Sequence, residues 1–184
     1  MSRKPIIAGN WKMNLLKSDA KALFEGIKSF VKDFSATQLP VVVIAPTFTS
    51  LSEVSRVECG CGCEGNKISV AGQNCHWKSS GAYTGEISVE MLADAGCDYV
   101  IIGHSERRQY FSETDEMINL KAKAILAGGL IPIRISFWSS TDNILIFPIR
   151  LLHKNKINNS LMFVGSNLEL KPSLAVINSN IFLF

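Results

Sequence analysis

Three clusters of reactive side chains stand out in the sequence. Asn10 and Lys12 lie in GNWKMN, His104, Ser105, Glu106, Arg107 and Arg108 in GHSERRQYF, and a polar run fills GQNCHWKSSGAYTGEIS. A lysine can hold an anion, and a histidine can polarise a carbonyl or move a proton. Neither residue type is diagnostic alone, and a lone Lys or His in such a place is structural more often than functional. What sharpens the reading is position, because each cluster directly follows a short apolar run.

Those runs are PIIAG at Pro5–Gly9, PVVVIA at Pro40–Ala45, KISVA at Lys67–Ala71, DYVIIG at Asp98–Gly103 and LIPI at Leu130–Ile133. Their pitch is roughly 30 residues, the size of a strand-plus-helix unit. Each is nearly continuous in Ile, Val and Ala, as strands buried on both faces are. Between them, Ser18–Lys32 sets Leu23, Ile27, Phe30 and Val31 on one stripe, with Ser18 suited to cap it. Ser88–Ala95 predicts a shorter helix ending at Gly96. Thr114–Ala127 sets Ile118, Ala122, Ile125 and Leu126 on one face, with Gly128 placed to end it. Strands alternating with helices imply parallel βα units, either as an open doubly wound sheet or as a closed barrel. In both, ligands bind beyond the C-terminal ends of the strands, where the three clusters fall.

The composition changes near residue 133. Residues 1–133 hold twelve of the thirteen glycines and carry fourteen basic against fourteen acidic residues. Residues 134–184 hold five basic and two acidic residues, so the net charge of +3 sits there, with seven asparagines. Their apolar runs, NILIFPIRLL, SLMFV and NIFLF, are not separated by amphipathic helices. Parallel strands need crossovers, so this tail is expected to be poorly folded. A net charge of +3 does not suggest nucleic acid, and no apolar run approaches the ~20 residues of a membrane helix. The opening MSRKPIIAGNW lacks a signal-peptide h-region, so a cytoplasmic location is expected. Cys59, Cys61 and Cys63 alternate with glycine in VECGCGCEG, which is read as a loop between a helix and a strand. Their spacing is not that of a zinc site, and no metal is expected.

AGNWKMN, AGQNCHWKSSGAYTGEIS and DYVIIGHSERRQYFSETD, in that order, resemble triosephosphate isomerase from about Pro5 to Ile133. The resemblance implies an α/β fold of the TIM (β/α)8-barrel family, cut to roughly its first half at residues 1–133, with an unrelated tail at 134–184. It implies a homodimer that interconverts dihydroxyacetone phosphate and glyceraldehyde 3-phosphate, in glycolysis and gluconeogenesis, without a cofactor. Carried over by motif, Asn10 and Lys12 contact substrate, His104 is the neutral electrophile, and Glu106 holds Lys12. The plainer alternative for Glu106 is an acid at a helix start. Gln73 and Asn74, which brace the base of the site, and Thr84, on the loop Gln73–Glu86 that reaches into the other subunit, are the residues the resemblance implies at the dimer interface. Such a long loop without regular structure is unusual in a compact domain.

Beyond Arg134 the resemblance fails. The family continues its fifth strand into a Cys-x-Gly-Glu stretch, where this chain reads IPIRISFW. The family's glutamate base, its closing lid and two glycine-rich phosphate loops have no counterpart; VGS at Val164–Ser166 is only a faint echo. Losing a general base costs about 10²–10⁴-fold in rate. The expectation is an isomerase family member that is inactive or severely impaired as written. Two alternatives stand beside it: an interaction protein docking on a full-length subunit, or a non-functional product of intron retention or a faulty gene model.

Overall fold

The computed structural model describes residues 5–32, 40–59, 67–134 and 144–148. Six strands and five helices are present among them: β1 Ile6–Asn10, α1 Lys17–Lys32, β2 Val41–Ala45, α2 Phe48–Cys59, β3 Ile68–Gly72, α3 Val89–Asp94, β4 Tyr99–Ile102, α4 Ser105–Phe111, α5 Asp115–Ala127, β5 Ile131–Arg134 and β6 Ile144–Pro148. All five strand pairings are parallel, in the order β5-β4-β3-β2-β1-β6. The first five strands make a parallel half-barrel, and the sixth joins it on the far side of β1.

The apolar runs are continuous because both faces of the sheet are covered. Along β2, Val42 and Ile44 face the helices while Val43 and Ala45 face the opposite side; along β4, Val100 and Ile102 alternate likewise with Ile101. Ala8, Val43, Ala45, Ala71, Ile101 and Ile133 form the smaller cluster, on the face that would line a barrel. The larger cluster joins the strands to Phe24, Ile27 and Val31 of α1, Leu51 and Val54 of α2, Leu92 of α3 and Ile118 and Ile125 of α5. Fully burying one such large side chain contributes about 1.5–3 kcal/mol. Gly72 matters here, since a Cβ on it would stand 2.8 Å from Leu92 Cδ1. Its missing side chain lets α3 lie directly on β3.

The helices differ from expectation in detail. Ala20 N–H donates to Leu16 C=O at 2.9 Å, so α1 starts at Lys17 and Ser18 lies inside it, not at its cap. Its fully buried stripe is Ala20, Phe24, Ile27 and Val31, with Leu23 and Phe30 only partly covered. Ser88 and Thr114 do cap α3 and α5 through their side-chain oxygens, and Gly128 ends α5. On α5 the expected Leu126 is exposed, and the buried stripe instead runs Ile118, Lys121, Ile125.

Of the tail expected to be poorly folded, residues 144–148 are described and form β6. β1 and β6 pair over five positions, from Ile6 with Ile144 to Asn10 with Pro148. The reason lies in β1: with β2 on one side only, its other row of N–H and C=O groups accepts a partner. The apolar runs SLMFV and NIFLF lie outside the described residues, as do Cys61 and Cys63; Cys59 is the last residue of α2.

Candidate active site

The clusters meet where three parallel strands end. β1 delivers Asn10 and Lys12, β3 delivers Gln73 and Asn74, and β4 delivers His104 and Glu106. Gly103, at φ +67°, turns the chain sharply between β4 and His104, a conformation that costs glycine little. α4 begins one residue later.

Lys12 is held in an unusual backbone state. Its φ is +53°, in the left-handed region that costs a non-glycine residue on the order of 1–3 kcal/mol. Two side chains fix it there. Asn10 Oδ1, on a residue 5% exposed, accepts from Lys12 N–H at 3.0 Å. Gln73 Nε2 donates to Lys12 C=O at 2.8 Å and to Ala45 C=O at 2.9 Å, so the end of β3 ties together the ends of β1 and β2. The ammonium group then meets Glu106, with Nζ 2.6 Å from Oε1. Both partners are part-exposed, at 33% and 44% of their side chains, and such a pair is worth little in stability, about 0–1 kcal/mol. Its consequence is positional, since it fixes where the positive charge sits.

His104 is the N-cap of α4, and its Nδ1 accepts from Glu106 N–H at 3.2 Å. An accepting Nδ1 carries no proton, which leaves the proton of the neutral ring on Nε2. Burial pushes the pKa of His104 below its ordinary value of 6.5, and the positive charge of Lys12 adds to this, while the Glu106 carboxylate opposes it. Nδ1 lies 3.5 Å from Glu106 Oε2. The imidazole is therefore a neutral donor beside a fixed cation.

A second polar cluster lies behind the site and was not legible in the motifs. Lys121 Nζ bonds Glu113 Oε1 and, at 2.7 Å, Asn74 Oδ1. Arg107 Nε stands 3.6 Å from the same Glu113 oxygen, and the guanidinium lies 4.7 Å over the Phe111 ring. Asn74 thereby joins the loop after β3 to α5. The one available signal was Lys121 itself, a lysine spaced three after Ile118 and four before Ile125 on a stripe otherwise apolar.

Of the residues expected at a subunit contact, Gln73 and Asn74 are thus engaged within the chain, and Thr84 is exposed on its loop. That loop is ordered by His76, 8% exposed, which stacks on Trp77 and against Tyr83 with ring centroids 4.2 Å away in each case. Burial raises Cys75 to about 11 and Cys97 to about 12, which leaves both as protonated, unreactive thiols. Among the described residues no group of three His, Cys, Asp or Glu side chains is placed to hold a metal, and no helix is long and apolar enough to cross a membrane.

Comparison with known proteins gives a consistent answer. The family model for triosephosphate isomerase matches residues 5–134. The triosephosphate isomerase of Streptococcus equi subsp. zooepidemicus is 53% identical over 133 residues, which are 72% of this chain and 50% of that protein. That of Synechocystis sp. is 49% identical over 131 residues, 71% of this chain and 51% of its own length. The crystal structure of triosephosphate isomerase from Bartonella henselae superposes with a TM-score of 0.63 at 36% identity, covering 72% of this chain and 51% of that one. The chain spans about half the length of the curated relatives it matches.

Proposed function

Because this chain belongs to the triosephosphate isomerase family, we propose that residues 5–134 carry the electrophilic half of an aldose–ketose isomerase acting on a triose phosphate. We propose further that the 184 residues do not complete the reaction by themselves. The observation that carries this reading is the chain Lys12–Glu106–His104 at the ends of β1 and β4, a fixed ammonium beside a neutral imidazole. In this role His104 Nε2–H donates to the carbonyl oxygen of the substrate. It stabilises the negative charge that grows there when a carbon-bound proton leaves. A neutral imidazole suits the task because its N–H is about as weak an acid as an enediol, so it can give that proton to one enediolate oxygen and take one back from the other, whereas an imidazolium is too strong an acid for that exchange; this family is the known example. Lys12, with Asn10 beside it, supplies positive charge toward the phosphate and the developing oxyanion.

Glu106 is a positioning residue in this scheme, because its carboxylate holds Lys12 and its N–H donates to His104 Nδ1. The step the half-site does not supply is proton abstraction. The family's glutamate, lid and phosphate loops have no counterpart in residues 135–184. A cytoplasmic location, and association with a second copy or with a full-length subunit through Gln73, Asn74 and Thr84, belong to the same proposal. The exposed, internally stacked loop around Tyr83 favours association over a merely solvated turn.

A coupled assay with glyceraldehyde 3-phosphate tests the reading. The purified chain should show no turnover above background. Adding the fragment of a relative from its fifth strand onward should produce turnover that falls strongly with Lys12→Ala or His104→Gln. Near-normal turnover by the unsupplemented chain, abolished by His104→Gln, would overturn the claim of incompleteness. Restored turnover indifferent to both substitutions would overturn the residue roles.

A further inference from the structure

In a closed eight-stranded barrel the first strand lies between the second and the last. Here β1 lies between β2 and Ile144–Pro148. The two pairings are equally long, five positions each and both parallel: Ile6 aligns with Val41 on one side and with Ile144 on the other. The family match ends at residue 134, so the strand in the closing position comes from sequence the family does not contribute. At the opposite edge, β5 pairs only with β4 among the described residues. The sequence of β6 suits an edge. Ile144, Ile146 and Phe147 favour extended backbone, and Pro148, which cannot donate to a ladder, stands at the last position of a strand that, among the described residues, pairs with β1 alone.

We propose that Ile144–Pro148 is a stand-in for the closing strand of the barrel, a cap that occupies the β1 edge and denies it to strands from other molecules. An uncapped row of N–H and C=O groups is a template for pairing with another chain. A segment of the same chain wins that contest through its effective concentration, which for a short tether is in the millimolar range. Two consequences follow. Edge-to-edge association of this chain is directed to β5, and a fragment that supplies its own last strand must first displace β6. The second consequence rests on the functional reading above; the cap itself does not.

Residue-resolved amide exchange on the full 184-residue chain tests the cap without reference to activity. Along a parallel strand, successive N–H groups point alternately to the two neighbours. With the cap in place, the amides of Ile6–Asn10 directed at β2 and those directed at β6 are both protected. In a Leu145→Pro, Ile146→Pro double variant, one of the two substituted positions faces β1 whatever the phase of β6. The β6-directed amides should then exchange about tenfold faster or more, the β2-directed ones staying slow as the internal standard. Alternating protection along β1 already in the unaltered chain, or no change in the double variant, overturns the proposal. Should the prolines unfold the chain, an Ile6→Cys, Ile144→Cys pair decides the matter. Neighbouring strands stand about 4.8 Å apart, inside the ~4.4–6.8 Å Cα separation a disulfide tolerates. Mild oxidation should give that link within one chain, mapped by peptide mass; a link formed only between chains, or none, overturns it.

Discussion

Lys12–Glu106 and Lys121–Glu113 are built from the same two residue types, and both join segments that meet beyond the sheet. They differ in solvent. The side chains of the first pair are 33% and 44% exposed, those of the second 5% and 2%. Water screens the first, so its lysine keeps a charge that a ligand can approach. The second is sealed among α4, α5 and the loop after β3, and each charge there depends on its partners. One pair fixes where an accessible ammonium sits, and the other holds together the elements around it.

The sharpest way to break this contrast is to remove one member of the buried pair. Glu113→Gln leaves the Lys121 ammonium buried beside Asn74 and a neutral amide, takes the shared carboxylate from Arg107 as well, and should cost about 3–5 kcal/mol. A urea midpoint close to that of the unaltered chain would show that the site relaxes or admits water. Replacing both members, Glu113→Leu with Lys121→Met, removes both desolvated charges and should recover most of that loss, to within about 1–2 kcal/mol of the starting stability. If the double variant is no better than Glu113→Gln alone, shape and not charge governs the cluster.

At the exposed pair the same substitution should be mild. Glu106→Gln should change stability by less than about 1 kcal/mol, while in the complemented enzyme it impairs turnover less than Lys12→Ala does, because the charge on Lys12 remains. A stability loss matching that of Glu113→Gln would erase the distinction between the pairs.

The smallest effect is electrostatic and has a definite sign. Because His104 titrates below 6.5 in the folded chain, the unfolded state binds more protons between the folded value and 6.5. Its contribution to stability is therefore unaffected above 6.5 and declines as pH falls through that window. An NMR titration of the imidazole should place it below 6.5. Glu106→Gln should lower it further and Lys12→Ala should raise it, since the carboxylate opposes and the ammonium assists the downward shift. Shifts in the reverse directions would mean that the two groups do not face the ring as described.

Much of this architecture was written locally. Continuous Ile, Val and Ala runs announce strands covered on both faces, Ser88, Thr114 and Gly128 announce helix ends, and the alternation of elements places Lys12 and His104 beyond strand ends. Helix registers were less legible. Ser18 reads as a cap until Leu16 C=O starts α1 one residue earlier, and Leu126 reads as core until Lys121 takes the buried stripe.

The sequence by itself determined the order of βα units, the three motifs and so the family, because each depends on residues close together in the chain. The meeting of Lys12 with Glu106, 94 positions away, was legible only through the family motifs, and the tertiary structure alone decided that Gln73 clamps Lys12 across 61. It also decided that Lys121 is buried and that residues 144–148 seat on β1. Such pairings leave no local periodicity. The burial of a charge, or the occupation of a strand edge, is set by what folds around it.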